Sequence, residues 1–128
     1  MARLPPERLP EGGPAGWEGL DGLDRLLEHR VRLATCVLLS RYERLNFRRL
    51  KDLLDETDGS LGAHLRKLED AGYVSVQREF EGRKPVSWYR LTAAGAGALR
   101  EHTRLLEALL DQARAGTTRS ARPKRRRG

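Results

Sequence analysis

The residues best placed to do chemistry are long cations set behind small side chains at helical spacing. Over residues 57–71 a helical wheel puts Gly59, Ala63, Arg66 and Asp70 on one side, flanked by Ser60, Gly62 and Lys67, while Leu61, Leu65 and Leu68 recur on the other. Slim residues at the start of a helix let its backbone come close to a ligand. A guanidinium further along can pair in a bidentate way with a guanine edge or a phosphate. A second basic group, Arg83 and Lys84, follows within Glu81-Gly82-Arg83-Lys84-Pro85. The chemistry on offer is recognition of a polyanion, with Arg66 as the candidate base reader and Arg83 and Lys84 as phosphate holders.

Catalytic chemistry has no comparable support. His29, His64 and His102 fall in separate elements, and the chain contains no HExxH, CxxC or GxSxG pattern and no phosphate-cradling glycine loop. We therefore expect no enzyme, no cofactor and no metal site. Cys36 is the only cysteine, which excludes an intramolecular disulfide; among Leu33, Ala34, Val37 and Leu38 it reads as a small core residue. His64, at the border of the leucine face, reads as structural.

Other elements must hold these cations in place. Thr57 or Asp58 can cap the helix of residues 58–71, and Gly72 can end it. Asn46 opens an earlier helical pattern with Phe47, Leu50, Leu53 and Leu54 on one side, and only Asp55 and Glu56 separate it from Thr57, as in a helix-turn-helix. Residues 20–41 predict a helix broken near His29. After Gly72, residues 73–78 and 86–91 predict paired strands joined by a basic loop at 81–85, with Pro85 limiting the pairing. Thr92 caps a last helix bearing Leu99, Leu105, Leu106, Leu109 and Leu110, expected to stop before Gly116. Its stripe suits pairing with a second copy, or packing back on the N-terminal helix.

The chain has 128 residues and a formal charge of +7, about one domain. Its excess charge lies in residues 114–128, which hold seven cations and no acids, whereas residues 20–113 hold sixteen cations and fifteen acids. Placement of charge in the domain therefore matters more than its total. Residues 1–19, with four of the six prolines, predict a flexible arm, and residues 114–128 a disordered basic tail able to hold phosphates without reading sequence. No apolar run is long enough for a membrane span and no signal-like region opens the chain, so we expect a cytoplasmic protein with no membrane partner. The excess of Arg over Lys, 21 against 4, with many Ala, Gly and Leu, suggests a GC-rich bacterial genome.

Together the runs LDRLLEHRVRLATCVLL, FRRLKDLLDETDGSLGAHLRKLEDAGYVSV and FEGRKPVSWYRLTAAG resemble the small winged-helix transcriptional regulators related to the MarR and ArsR groups, over about residues 20–112. The resemblance implies a mainly α fold with a small β-hairpin (α+β), a winged helix-turn-helix with a long C-terminal helix at about 92–113. It implies a homodimer on double-stranded DNA, with helix 58–71 in the major groove and wing 80–86 at the backbone or minor groove. Carried over by position, Ser60, Ala63, Arg66 and Lys67 would face DNA and Arg83 and Lys84 would form the wing tip. Gly62 departs from the family pattern, where Ser or Ala is usual. The other function class to weigh is a protein-interaction module of the same shape, with only nonspecific DNA affinity from its tail. A small-molecule effector is not specified by these residues.

Overall fold

His29 is the point at which the chain commits to its first long helix. Its backbone is extended (φ −82°, ψ 129°), and its Nδ1 accepts from the Val31 amide at 3.1 Å, capping α1 (Arg30–Arg41). The break expected near His29 is this cap, preceded by a 3-10 turn over Leu26–Glu28. The computed structural model describes residues 21–121, with side chains to residue 116; the expected N-terminal arm, residues 1–19, and residues 122–128 of the expected tail 114–128 lie outside the described residues. Asp24–His102 forms one compact unit, and the described residues before and after it belong to a second.

Local capping chemistry sets the next two helices as expected. The Asn46 side chain accepts from the Arg49 amide at 2.7 Å to start α2 (Phe47–Leu54), and Thr57 Oγ1 accepts from the Ser60 amide at 3.1 Å to start α3 (Asp58–Asp70). Between them Asp55 takes the left-handed conformation, φ 54°, a geometry Asp tolerates better than most residues. Gly72, at φ 81°, ends the α3 turn and releases the chain into the sheet.

The sheet is larger than the expected hairpin. A two-residue strand, β1 (Leu45–Asn46), pairs with the far strand at Leu45↔Tyr89 and Asn46↔Trp88, giving the order β1-β3-β2. The hairpin strands β2 (Val74–Glu81) and β3 (Lys84–Leu91) pair along their whole length, so the loop is only Gly82-Arg83. The expected five-residue loop is thus corrected to two, and Lys84 and Pro85 are strand residues. Gly82 at φ 66°, with no positive φ at Arg83, matches a turn that wants glycine at its first position. A two-residue loop makes Glu81↔Lys84 the closing hydrogen-bonded pair, so the Pro85 ring nitrogen faces away from β2, where β1 no longer reaches. Its missing amide breaks no ladder bond.

Thr92 starts α4 (Ala93–Ala121): its Oγ1 accepts from the Gly95 amide at 3.0 Å and donates to the Gly72 carbonyl at 2.6 Å. This helix runs through Gly116, where it was expected to stop. A glycine keeps its amide and costs a helix interior only about 1 kcal/mol, so it does not end a helix already under way. The described residues stay helical to Ala121. Beyond His102, Leu105 is buried, Leu106 and Leu109 are half-buried and Leu110 is 51% exposed.

The core of the 24–102 unit joins Leu27, Val31, Cys36 and Leu39 to Leu50 of α2, to Leu61, Leu65 and Leu68 of α3, and to Val74, Tyr89 and Leu99. The three helices bury their faces against one another and against the root of the hairpin, as expected for a mainly α fold with a small sheet and a long C-terminal helix. Among the described residues no helix is long and apolar enough to cross a membrane.

Candidate nucleic-acid interface

Burial fixes which side of α3 is free. Leu61, Leu65 and Leu68 are at most 1% exposed, so the opposite side, with Gly59, Ala63, Arg66, Lys67 and Asp70, stands in solvent. The helix is held at its start by Thr57 and by an ion pair of 3.0 Å between Asp58 and Lys51 of α2. Of the expected contact residues, Ala63, Arg66 and Lys67 are exposed. Ser60 differs: it is half-buried, and its hydroxyl donates to Glu56 Oε1 at 2.6 Å.

The hairpin has two unlike faces, because side chains alternate along a strand. One face continues from the core through Val74, Val76, Arg78 and Phe80, opposite Leu91, Tyr89, Ser87 and Pro85. The other bears Ser75, Gln77, Glu79 and Glu81, opposite Arg90, Trp88, Val86 and Lys84. On this second face the cations are matched by acids. Arg44 pairs with Glu79 at 3.1 Å while lying 4.0 Å over the Trp88 ring, Arg90 pairs with Glu43 at 3.0 Å, and Lys84 stands across the ladder from Glu81.

The first face is different. Burial pushes the Tyr89 hydroxyl above its ordinary pKa, and the positive fields of Arg78 and Arg66 oppose that shift while Glu69 supports it. Arg66 from α3 and Arg78 from β2 are therefore both within electrostatic reach of one buried tyrosine. Among the described residues neither enters an ion pair, and nor do Lys67 and Arg83. Arg78 was not among the residues expected from sequence. Its signal was the two-residue period of Val74, Val76 and Arg78, which keeps Arg78 on the core face just where the core ends.

Thus Arg66, Lys67, Arg78 and Arg83 are unpaired cations around the free side of α3 and the tip of the hairpin, whereas Lys84 points to the hairpin's other face. Arg48 and Arg49 add two exposed cations in the first turn of α2, a position the helix dipole disfavours for positive charge unless an anion is near. His64 is occupied within the fold: Arg32 Nη1 lies 3.0 Å from its Nδ1, and its ring meets that of His29 at a tilt of 38°, centroids 4.1 Å apart.

A family model described as winged helix DNA-binding domain matches residues 31–110. The uncharacterized protein MJ0432 of Methanocaldococcus jannaschii is 32% identical over 72 residues, 56% of this chain and 78% of that protein. The transcriptional regulator homologue of Pyrococcus horikoshii OT3 superposes with a TM-score of 0.70 at 26% identity, covering 75% of this chain and 97% of the other. MepR of S. aureus, solved as a DNA complex, superposes at 0.58 with 18% identity, over 78% of this chain and 86% of that one. These relatives span archaea and bacteria.

Proposed function

This chain belongs to the winged helix DNA-binding domain family, and we propose that it is a sequence-specific transcriptional regulator that binds double-stranded DNA as a homodimer. The observation that carries this reading is that Arg66 and Lys67 on the slim, exposed side of α3, and Arg78 and Arg83 on the hairpin, are exposed and enter no ion pair among the described residues, while Arg44 and Arg90 beside the hairpin's other face are neutralised by acids. In this reading α3 enters the major groove and Arg66 pairs with a guanine edge. Arg48, Arg49, Lys67 and Arg83 hold phosphates, and the hairpin lies on the flanking backbone or minor groove. The fold shared with MepR, whose structure contains DNA, supports this docking. The apolar residues Leu106, Leu109 and Leu110 on the distal half of α4 support pairing of two copies, and two copies would read two half-sites about one helical turn apart.

The competing reading, a protein-interaction module, draws on the near balance of sixteen cations and fifteen acids in residues 20–113. Selection of bound fragments from genomic DNA separates the two. It is run with the full chain and with a variant whose five cations between Arg122 and Arg127 are glutamine. A regulator enriches the same motif in both arms. A module with a sticky tail enriches none and loses its DNA binding with the tail charges. On the selected motif, Arg66→Ala is expected to cost about 1–3 kcal/mol and to relax one base position, with random DNA bound nearly as before. An equal loss on both would remove Arg66 as a reader.

A further inference from the structure

Phe80 is 74% exposed, more than the other exposed large apolar side chains, Val37, Tyr42, Leu53 and Leu110. One exposed apolar residue is ordinary; its company makes this one informative. The register sets Phe80 opposite Pro85, which is also exposed, so the hairpin ends in an apolar pair. This pair lies on the same face as Arg78, and beyond the rung formed by Val76 and Tyr89 that face carries no carboxylate. Glu79 and Glu81 both lie on the other side. A polyanion can approach the first face without meeting a negative charge and is opposed at the second.

Distance points to the same ligand. Phe80 stands four residues past Val76, roughly 13 Å beyond the edge of the core at about 3.3 Å per residue. A helix centred in the major groove has the next minor groove about 17 Å away, half of a turn of roughly 34 Å. The minor groove is narrow, about 6 Å, and Phe and Pro are among the side chains that wedge into it and part base steps. A second copy is a poorer occupant of this patch, because Arg78 and Arg83 of each copy would be brought together.

We propose that Phe80, backed by Pro85, is an apolar wedge that presses into the minor groove flanking the α3 site, with Arg78 and Arg83 on the adjoining phosphates. The chain thereby favours easily unstacked pyrimidine–purine steps in that flank. The inference rests on the reading of the chain as a DNA-binding regulator.

The test compares wild type, Phe80→Ala, Phe80→Leu and Arg83→Ala on the fragment most enriched by the full chain and on a random duplex, over a series of salt concentrations. Burying most of a phenyl ring predicts that Phe80→Ala weakens binding to the enriched fragment about tenfold or more, with Phe80→Leu intermediate. An apolar contact releases no counterions, so the salt dependence of Phe80→Ala stays that of wild type, while Arg83→Ala flattens the slope by about one. Repeating the fragment selection with Phe80→Ala should abolish the flanking pyrimidine–purine bias and keep the central motif. Unchanged affinity and flank would overturn the wedge, as would a change in self-association without a change in DNA binding. If wild type enriches no motif at all, the regulator reading falls and takes the wedge with it, a result distinct from a regulator whose Phe80 is idle. The high exposure of Phe80 leaves the core untouched, which equal melting temperatures would verify.

Discussion

A Cβ placed on Gly95 would stand 2.2 Å from the carbonyl oxygen of Tyr73. That carbonyl is already engaged, accepting from the Thr92 amide at 3.0 Å. The first turn of α4 therefore rests directly on the backbone where the chain leaves α3 for the hairpin, and only glycine permits the approach. Gly95→Ala has no flexible side chain to push aside at its nearest contact. We expect it to destabilise the fold by about 1–3 kcal/mol or more, the usual cost of overpacking, despite alanine's better helix propensity. Urea unfolding checks this, and a variant as stable as wild type would show that the contact can relax.

Gly62 is the opposite case. A Cβ there meets nothing within 4 Å, so no contact inside the fold requires a glycine in the middle of α3. Gly62→Ala should stabilise the chain by roughly 0.4–1 kcal/mol, raising Tm by a few degrees. If the slim face of α3 lies against DNA, the same change should weaken binding to the selected motif more than to random duplex. Calorimetry and gel shifts on one preparation measure both, and a stabilised variant with undiminished motif binding would mean that α3 does not approach DNA at this point.

These two glycines also mark what the sequence could reveal. Asn46, Thr57 and Thr92 were legible as caps, and Gly72 as a helix stop, because their chemistry is local and concerns the next few amides. Gly62 was legible as a cost but Gly95 was not, since its reason is a carbonyl more than twenty residues away. The strand Leu45–Asn46 was invisible because two residues have no period; it exists because β3 offers a free edge. The hairpin was read from the composition of its loop, which suggested that Arg83 and Lys84 share a tip. Register separates them and brings Arg78 forward instead. Arg66 was found correctly as an exposed cation, but that its charge and that of Arg78 both reach Tyr89 depends on how α3 packs on the sheet, which spacing along the chain does not encode.

Cys36 is fully buried, and burial, with the nearby charge of Asp24, pushes its thiol up to about 11. Only the thiolate reacts, and only when accessible. We expect the native protein at pH 8 to resist a disulfide reagent over hours and to react stoichiometrically at once in denaturant. The slow native rate should track global unfolding, rising with urea well below the midpoint. Rapid labelling of the folded chain would reopen oxidation of Cys36 as a control of DNA binding.

His64 gives the fold a pH dependence whose sign can be worked out. Its pKa is lowered from the ordinary 6.5, first by burial and then by His29 and Arg32, with a smaller push from Lys67 and opposition from Glu56. The Arg32 guanidinium can donate to its Nδ1, 3.0 Å away, only while that nitrogen is unprotonated. Above about pH 6.5 the ring is neutral in both folded and unfolded chains, and its contribution to stability is whole. As pH falls below 6.5 the unfolded chain takes up the proton first, so stability declines, levelling off once the pH is below the folded-state value. His64→Gln keeps an oxygen that can accept from Arg32 and removes the titration. Between pH 7 and pH 5 the urea midpoint of wild type should therefore fall more steeply than that of His64→Gln, with the gap between them changing most just below pH 6.5. Parallel lines across that range would assign the acid sensitivity of the fold to other groups.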